Sequence, residues 1–214
     1  MSELIFRERP ARGAAKGLLV LHHGRGADEH ELIGLADLFD PKQRLHVVAP
    51  RGPYPLPETS GYRWYKPTAP GLPEPESFKA AYSQLATLHD ELWERTELTP
   101  AQTVLGGHSQ GASMGYALGL GAGRPAPAGV LAMSGFIPII DGWQPSTLDR
   151  TNTRVLISHG TDDPILAVDH ARRARDELRA AGLTVEYHES RSAHRVDPRT
   201  LPSIAEWIAA TLDR

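Results

Sequence analysis

Short apolar runs alternate with helix-like segments along most of this chain. Five runs rich in valine, leucine and isoleucine indicate buried strands: Gly17 to His22, Leu45 to Ala49, Thr103 to Gly107, Gly129 to Met133 and Val155 to Ser158. Two runs that mix apolar and polar residues predict outer strands: Leu4 to Arg7 and Leu183 to His188. Periodic segments between them predict helices: Glu31 to Phe39, Ser77 to Arg95, Gln110 to Leu120, Val168 to Ala181 and Leu201 to Leu212. This alternation predicts an α/β fold, in which a mostly parallel central sheet carries helices on both faces.

Composition is typical of one ordinary globular domain. The 214 residues suffice for a single well-buried core and are few for two, so we expect one domain over residues 1–214. Hydrophobic residues at 40% and charged residues at 23% argue against a disordered or fibrous chain. The net charge of -3 gives no general attraction for phosphates, so no nucleic acid is expected as a partner. Cysteine is absent, which excludes disulfides, thiolate metal ligands and a cysteine nucleophile.

The sequence also bears on localisation. Residues 1–17 carry several charges and lack the apolar core of a secretory signal. No later run approaches the ~18 apolar residues of a membrane span. Arginine greatly outnumbers lysine, and alanine, glycine and proline are plentiful, which is typical of a GC-rich bacterial genome. We therefore expect a bacterial, cytoplasmic protein without stable membrane insertion.

Residues Gly107 to Gly111 have the sequence Gly-His-Ser-Gln-Gly and match the G-x-S-x-G nucleophile elbow. The context fits, because an apolar strand precedes the motif and a helical pattern follows it. A sharp, strained turn of this kind needs the small glycines beside the serine. The motif predicts Ser109 as a nucleophile and the backbone N–H of Gln110 as an oxyanion donor at a helix N-terminus. An N-cap serine in a glycine-rich turn is the alternative.

A serine nucleophile needs a histidine base and a carboxylate that orients the base. In this fold the acid and then the histidine follow the serine along the chain. The predicted strand Val155 to Ser158 leads into a loop that holds Asp162 and Asp163. Adjacent side chains of an extended segment point to opposite sides, and Pro164 keeps Asp163 extended, so we expect Asp163 to be the acid. His194, in the loop after the last predicted strand, is the expected base.

Four other histidines fall near the ends of predicted strands, so a metal centre is an alternative there: His22, His23, His108 and His159. No H-E-x-x-H motif or comparable ligand spacing occurs, and we expect no metal. Acyl transfer through a serine needs no cofactor, so none is expected either.

Together these motifs resemble the phospholipase/carboxylesterase family of the α/β-hydrolase superfamily, which includes acyl-protein thioesterases and small bacterial carboxylesterases. The segments that carry the resemblance are Leu21 to Glu29, Gly107 to Ala112, Ser134-Gly135, His159 to Pro164 and His194. The resemblance runs through most of the chain and implies the α/β-hydrolase fold, with Asp163 as the acid and His194 as the base. One departure is Ala193, because the family often has glycine directly before its histidine.

The resemblance further implies that the loop His23-Gly24-Arg25-Gly26 forms an oxyanion hole, with the backbone N–H of Arg25 as a donor. The side chain of Arg25 then either contacts substrate or pairs with an acid, and we expect the ion pair, because loop arginines are usually solvated or paired. Asp28 and Glu31 have the spacing of a helix N-cap and its reciprocal partner. A homodimer is also among the assemblies that the resemblance implies.

Two regions are candidates for the substrate cleft. The segment Pro50 to Pro75 is a long irregular connection, either a cleft wall or a surface loop pinned by its aromatic residues. The connection after Gly129 to Met133 has only about twenty residues, which predicts no cap domain, and it is unusually apolar. The following side chains would either line an acyl groove or complete the core: Trp64, Tyr65, Phe136, Ile137 and Trp143.

The sequence thus predicts a serine hydrolase that cleaves carboxylic esters of short to medium acyl chains through an acyl-enzyme. The expected partner is a small ester or thioester substrate. An acyl-protein thioesterase or lysophospholipase is the alternative enzyme. A catalytically silent binding protein on the same fold is the alternative from another class.

Overall fold

The computed structural model describes residues 3–69, 71–146 and 149–213. The strands are β1 (Phe6–Arg9), β2 (Gly17–His22), β3 (Leu45–Pro50), β4 (Tyr54–Leu56), β5 (Gly61–Arg63), β6 (Pro67–Ala69), β7 (Leu72–Pro73), β8 (Thr103–His108), β9 (Gly129–Met133), β10 (Arg154–Gly160) and β11 (Thr184–Ser190). The α-helices are α1 (His30–Ile33), α2 (Ala36–Phe39), α3 (Pro75–Thr96), α4 (Gln110–Leu120), α5 (Asp169–Ala180) and α6 (Leu201–Leu212).

A seven-stranded sheet forms the centre of the molecule, in the order β1-β3-β2-β8-β9-β10-β11. All neighbouring strands run parallel except β1, which pairs antiparallel with β3. The predicted inner strands are confirmed, and β2 and β9 have the predicted bounds. The carboxyl ends of β2, β8 and β10 therefore lie at one edge of the sheet, where the predicted site residues follow them.

The sheet is buried on both faces, which explains why its inner strands are continuous apolar runs. Along β2, Leu18 and Val20 belong to one core cluster, which also contains side chains of α3 and α4. Leu19 and Leu21 belong to the opposite cluster, which contains side chains of α2 and α6. Successive residues thus pack against different helical layers, and the central strands are held rigidly from both sides.

Two local predictions are corrected. The segment Glu31 to Phe39 is not one helix, because α1 ends at Ile33 and α2 begins at Ala36 after an intervening Gly34. The segment Pro50 to Pro75 is not irregular throughout, because it contains the antiparallel pairs β4-β5 and β6-β7. These strands have only two or three residues, and all but β5 contain a proline, so they carry little periodic signal.

The connection between β9 and β10 bears on the prediction that the fold has no cap domain. In its described part it forms no helix or strand, so no cap domain is found there.

Within the described residues, no helix combines the length and the apolar character needed to span a bilayer.

Candidate active site

Ser109 lies in the sharp turn between β8 and α4. Its backbone has φ 54° and ψ -118°, a strained conformation that non-glycine residues rarely adopt. A side chain at Gly107 would collide with the backbone of Gly111, and one at Gly111 would collide with the carbonyl of His22. The two glycines of the motif are therefore required by close backbone approaches, and the turn presents Ser109 at the sheet edge.

His194 and Asp163 complete a continuous hydrogen-bonded chain with Ser109. The Ser109 hydroxyl lies 2.8 Å from His194 Nε2, and His194 Nδ1 lies 2.6 Å from Asp163 Oδ2. Because an ionised carboxylate only accepts, Nδ1 carries a proton and Nε2 is left to accept from the hydroxyl. The structure thus brings together the three residues that the sequence predicts to act together.

The Asp163 carboxylate is fully buried and heavily hydrogen-bonded. Its Oδ1 accepts the backbone N–H groups of Ile165 and Leu166, both at 2.9 Å. Burial raises the pKa of Asp163, but the hydrogen bonds from Leu166, His194 and Ile165 outweigh it and hold the pKa below its ordinary value. The carboxylate is therefore ionised and fixed in direction.

Asp162, the competing aspartate, points elsewhere. It is exposed, and its Oδ1 accepts a hydrogen bond from the Thr161 hydroxyl at 3.2 Å. Its backbone N–H donates to the Ser192 carbonyl, which ties the loop without involving the carboxylate. Of the two aspartates, the structure thus joins only Asp163 to His194.

Arg25 and Gln110, whose backbone N–H groups are the predicted oxyanion donors, line the same cleft as Ser109 and His194. Neither donates a hydrogen bond to another atom of the described residues. A backbone N–H group without a partner near a nucleophile is the kind of donor that can stabilise an oxyanion. The Arg25 guanidinium is exposed and lies 3.3 Å from the Glu58 carboxylate, as expected for a surface ion pair.

The loop around Gly24 is held by two side chains. The Gly24 N–H donates to Glu31 Oε2 at 2.8 Å, so Glu31 braces this loop and is not the reciprocal partner in a helix cap. Asp28 accepts the His30 N–H. His23 Nε2 accepts the Gly52 N–H at 2.8 Å, which leaves Nδ1 to donate to the Gly24 carbonyl at 2.7 Å. Burial lowers the pKa of His23, which keeps this ring neutral.

An open cleft of about 480 Å³ lies above Ser109. It is lined by Arg25, Tyr65, Pro67, Thr68, Ala69, Gly71, Leu72, Ser109, Gln110, Phe136, Ile165, Leu166 and His194. Of the five predicted substrate-binding residues, Tyr65 and Phe136 are in this lining. The β6-β7 hairpin forms one wall, and the residues after Asp163 form part of the lining.

The other three predicted substrate-binding residues lie outside the cleft lining. Trp64 is fully buried, and its Nε1 donates to the His23 carbonyl at 2.8 Å. Ile137 borders a separate small depression on α5. Trp143 packs against the core and donates to the Ala117 carbonyl. These corrections favour the alternative in which apolar residues complete the core.

The four histidines considered as metal ligands do not form a cluster. His22 Nδ1 bonds the Gly106 carbonyl at 2.8 Å, and its Nε2 lies 3.3 Å from Nε2 of the buried His89. Burial lowers the pKa of His22 to about 4. In the part of the chain that the structure describes, the one group spaced like metal ligands is Asp28, Glu29 and His30. Both carboxylates already have partners, since Asp28 accepts the His30 N–H and Glu29 pairs with Arg51.

The family model for phospholipases and carboxylesterases matches residues 8–212. The chain belongs to the phospholipase/carboxylesterase family. MhqD of Bacillus subtilis, which is named as a hydrolase, is 23% identical over 196 residues, covering 92% of this chain and 94% of that protein. Acyl-protein thioesterase 1 homolog 1 of Dictyostelium discoideum is 20% identical over 175 residues, covering 81% and 76%.

A solved structure of the Bacillus cereus carboxylesterase superposes with a TM-score of 0.85 at 22% identity, covering 98% of this chain and 95% of that one. This likeness establishes the α/β-hydrolase fold. The family and the fold that the sequence motifs imply are therefore confirmed, and the family is one of hydrolases of the carboxylesterase/phospholipase type.

Sequence reasoning missed three contacts that hold this family member's site together. One is the Glu31 brace on Gly24. Another is the Gln110 side chain, whose Oε1 accepts the Trp64 N–H and whose Nε2 donates to the Tyr65 carbonyl, both at 3.1 Å. The last is His159, which lies beside Asp163. The sequence contains one signal for two of these contacts: Gln110 and His159 lie in segments that carry the family resemblance. Their contact partners were not predictable, because these partners are distant in sequence or are backbone groups.

Proposed function

We propose that this protein hydrolyses carboxylic esters of short to medium acyl chains through an acyl-enzyme on Ser109. The observation that carries the proposal is the hydrogen-bonded chain from Ser109 through His194 to the buried Asp163 at an open cleft. Outside catalysis, a strained serine bonded to a histidine that is itself bonded to a buried carboxylate has no evident purpose.

In the proposed mechanism, His194 Nε2 accepts the proton of Ser109 as Oγ attacks the ester carbonyl. The N–H groups of Arg25 and Gln110 stabilise the negative oxygen that forms. His194 then gives the proton to the leaving alcohol, and an acyl-enzyme remains. Water, activated by the same histidine, attacks the acyl-enzyme and releases the acid. Asp163 keeps His194 in the Nδ1–H tautomer and stabilises the imidazolium.

The cleft lining supports an ester with a modest apolar acyl group. Leu72, Phe136 and Ile165 contribute apolar surface near Ser109. The cleft is open and its volume of about 480 Å³ is within the range of small-molecule sites. A thioester is the second candidate substrate, because one sequence relative is named an acyl-protein thioesterase. The chemistry at Ser109 would be the same for both.

A fluorophosphonate probe tests the proposed nucleophile. We expect the wild-type protein to be labelled on Ser109 and the Ser109→Ala variant to be unlabelled and nearly inactive, since triad members act as a unit. Ser113→Ala is a matched control, because this buried serine lies one turn further along α4 and should remain labelled at Ser109. Absence of labelling in folded wild-type protein would favour the silent binding protein.

A substrate panel then separates the candidate activities. Rates on p-nitrophenyl esters of increasing chain length should be compared with rates on acyl thioesters and lysolipids. We expect short and medium esters to give the highest kcat/KM. A preference for long-chain thioesters or lysolipids would retain Ser109 as nucleophile and contradict the proposed substrate class.

A further inference from the structure

His159 lies near the end of β10, and its side chain is fully buried. Its Nε2 is 2.9 Å from the Leu166 carbonyl oxygen and 3.3 Å from Asp163 Oδ2. The proposed mechanism gives this histidine no task. Because it touches the same carboxylate oxygen as His194, its role needs an explanation.

The partners of His159 determine its protonation state. A carbonyl oxygen and a carboxylate oxygen both accept hydrogen bonds, so Nε2 must carry the proton that faces them. Nδ1 is buried and has no hydrogen-bond partner among the described residues, so a proton there would be desolvated without compensation. Burial also lowers the pKa of His159, which disfavours the doubly protonated ring. His159 is therefore a neutral donor.

The contacts of His159 span both ends of one turn, residues 163–166, which we call the acid turn. Inside the acid turn, Leu166 donates its N–H to Asp163 Oδ1. His159 holds the carbonyl of Leu166 from outside and also faces Asp163 Oδ2. Leu166 and its neighbour Ile165 line the substrate cleft. One ring thus fixes a turn that carries both the carboxylate and part of the cleft lining.

We propose that His159 is a positioning residue that holds the acid turn so that Asp163 Oδ2 stays aligned with His194 Nδ1. The inference rests on the proposed function, since Asp163 is assigned as the acid there. Without the Nε2–H group, the Leu166 carbonyl loses its partner inside the protein and Oδ2 loses its second donor. The carboxylate then samples directions that serve His194 less well.

Two substitutions distinguish the hydrogen bonds that His159 donates from the packing of its side chain. His159→Leu removes the donor, whereas His159→Gln retains an N–H donor at a similar distance from the backbone. We expect His159→Leu to lower kcat on a short ester about 10- to 100-fold, as for loss of a hydrogen bond to a charged group, with a smaller change in KM. His159→Gln should recover most of this loss. His89→Leu is the matched control for loss of a fully buried histidine away from the acid turn, and its kcat should stay close to that of wild type.

Three results would overturn the inference. The first is a folded His159→Leu variant with unchanged kcat, and the second is a His159→Gln variant that is as impaired as His159→Leu. The third needs no variant to fold: nitrogen NMR of the wild-type protein should report the neutral Nε2–H tautomer for His159, and an Nδ1–H tautomer contradicts the proposed contacts. In each case a wild-type protein that is still labelled on Ser109 leaves the proposed function standing. An unlabelled wild type would instead refute the proposed function itself.

Discussion

Two loops near Ser109 are built in a similar way. One is the acid turn after β10, and the other is the loop of residues 23–26 after β2, which we call the oxyanion loop. Each follows a buried parallel strand, and each is held by a neutral buried histidine and a carboxylate. In the acid turn these are His159 and Asp163. In the oxyanion loop they are His23 and Glu31.

The two loops differ in what the carboxylate does. Asp163 belongs to the acid turn itself, is fully buried and bonds His194 directly. Glu31 comes from α1, has a side chain that is 33% exposed, and has no contact with His194. Its Oε2 accepts the backbone N–H of Gly24, and its Oε1 lies 3.6 Å from His108 Nδ1. Burial raises the pKa of Glu31, but its interactions with His108 and Gly24 hold the pKa below its ordinary value. We infer that one carboxylate would act on the reacting groups and that the other only shapes the backbone, so their loss should have unequal effects.

The largest effect is expected at the acid turn. Asp163→Asn should lower kcat by roughly 10³ to 10⁴, because an amide no longer fixes the Nδ1–H tautomer of the base. Asp162→Asn is the matched control, since its exposed carboxylate has no contact with His194 and kcat should change little. Ester hydrolysis and thermal unfolding of both variants provide the measurement. The reverse ranking in folded proteins would assign the acid to Asp162.

The next effect concerns how the oxyanion loop is attached to α4. At Gly111 the backbone of α4 approaches the carbonyl groups of His22 and His23 so closely that no side chain fits. Gly111→Ala should therefore lower the free energy of unfolding by about 3 kcal/mol or more, the cost of overpacking against rigid backbone.

Gly115→Ala on the same helix is the control, because its new Cβ would meet Leu105 only at an ordinary 3.5 Å. This substitution should stabilise the protein by about 0.5 to 1 kcal/mol, since alanine loses less entropy than glycine in a helix. Urea unfolding of both variants measures the difference. Equal free energies of unfolding for the two variants would show that the backbone at Gly111 can move away from the oxyanion loop to accommodate a side chain.

The fold was predictable because its determinants are local. Buried parallel strands need unbroken apolar runs, so β2 and β9 were located to the residue. The choice of Asp163 over Asp162 was also possible, because Pro164 restricts the backbone of the residue before it and because the family resemblance implies the aspartate before the proline. Both signals are contained in a few adjacent residues, and the structure places these residues as they imply.

The remaining features depend on contacts between distant segments. Glu31 lies three residues after Asp28, a spacing that fits a helix cap equally well, and only the fold brings Gly24 to it. Trp64 and Tyr65 are adjacent aromatic residues with the same sequence signal, yet only Tyr65 lines the cleft. Apolar bulk does not reveal whether a side chain meets the core or a substrate.

The smallest effect is expected at Glu31 and would sharpen the contrast between the two carboxylates. Glu31→Ala removes the acceptor of the Gly24 N–H and lets the neighbouring Arg25 N–H move away from the position of the oxyanion, so kcat should fall roughly tenfold. Glu31→Gln keeps an oxygen acceptor but no charge, and it should retain most of the activity. The matched neutral substitution at Asp163 should abolish nearly all of it, because there the direction and charge of the carboxylate would act on His194. A Glu31→Gln variant as impaired as Asp163→Asn would mean that the Glu31 charge reaches the reaction through His108, whose ring centroid lies 5.2 Å from that of His194. The two loops would then be electrostatic partners in catalysis, and the distinction between a reacting and a shaping carboxylate would be wrong.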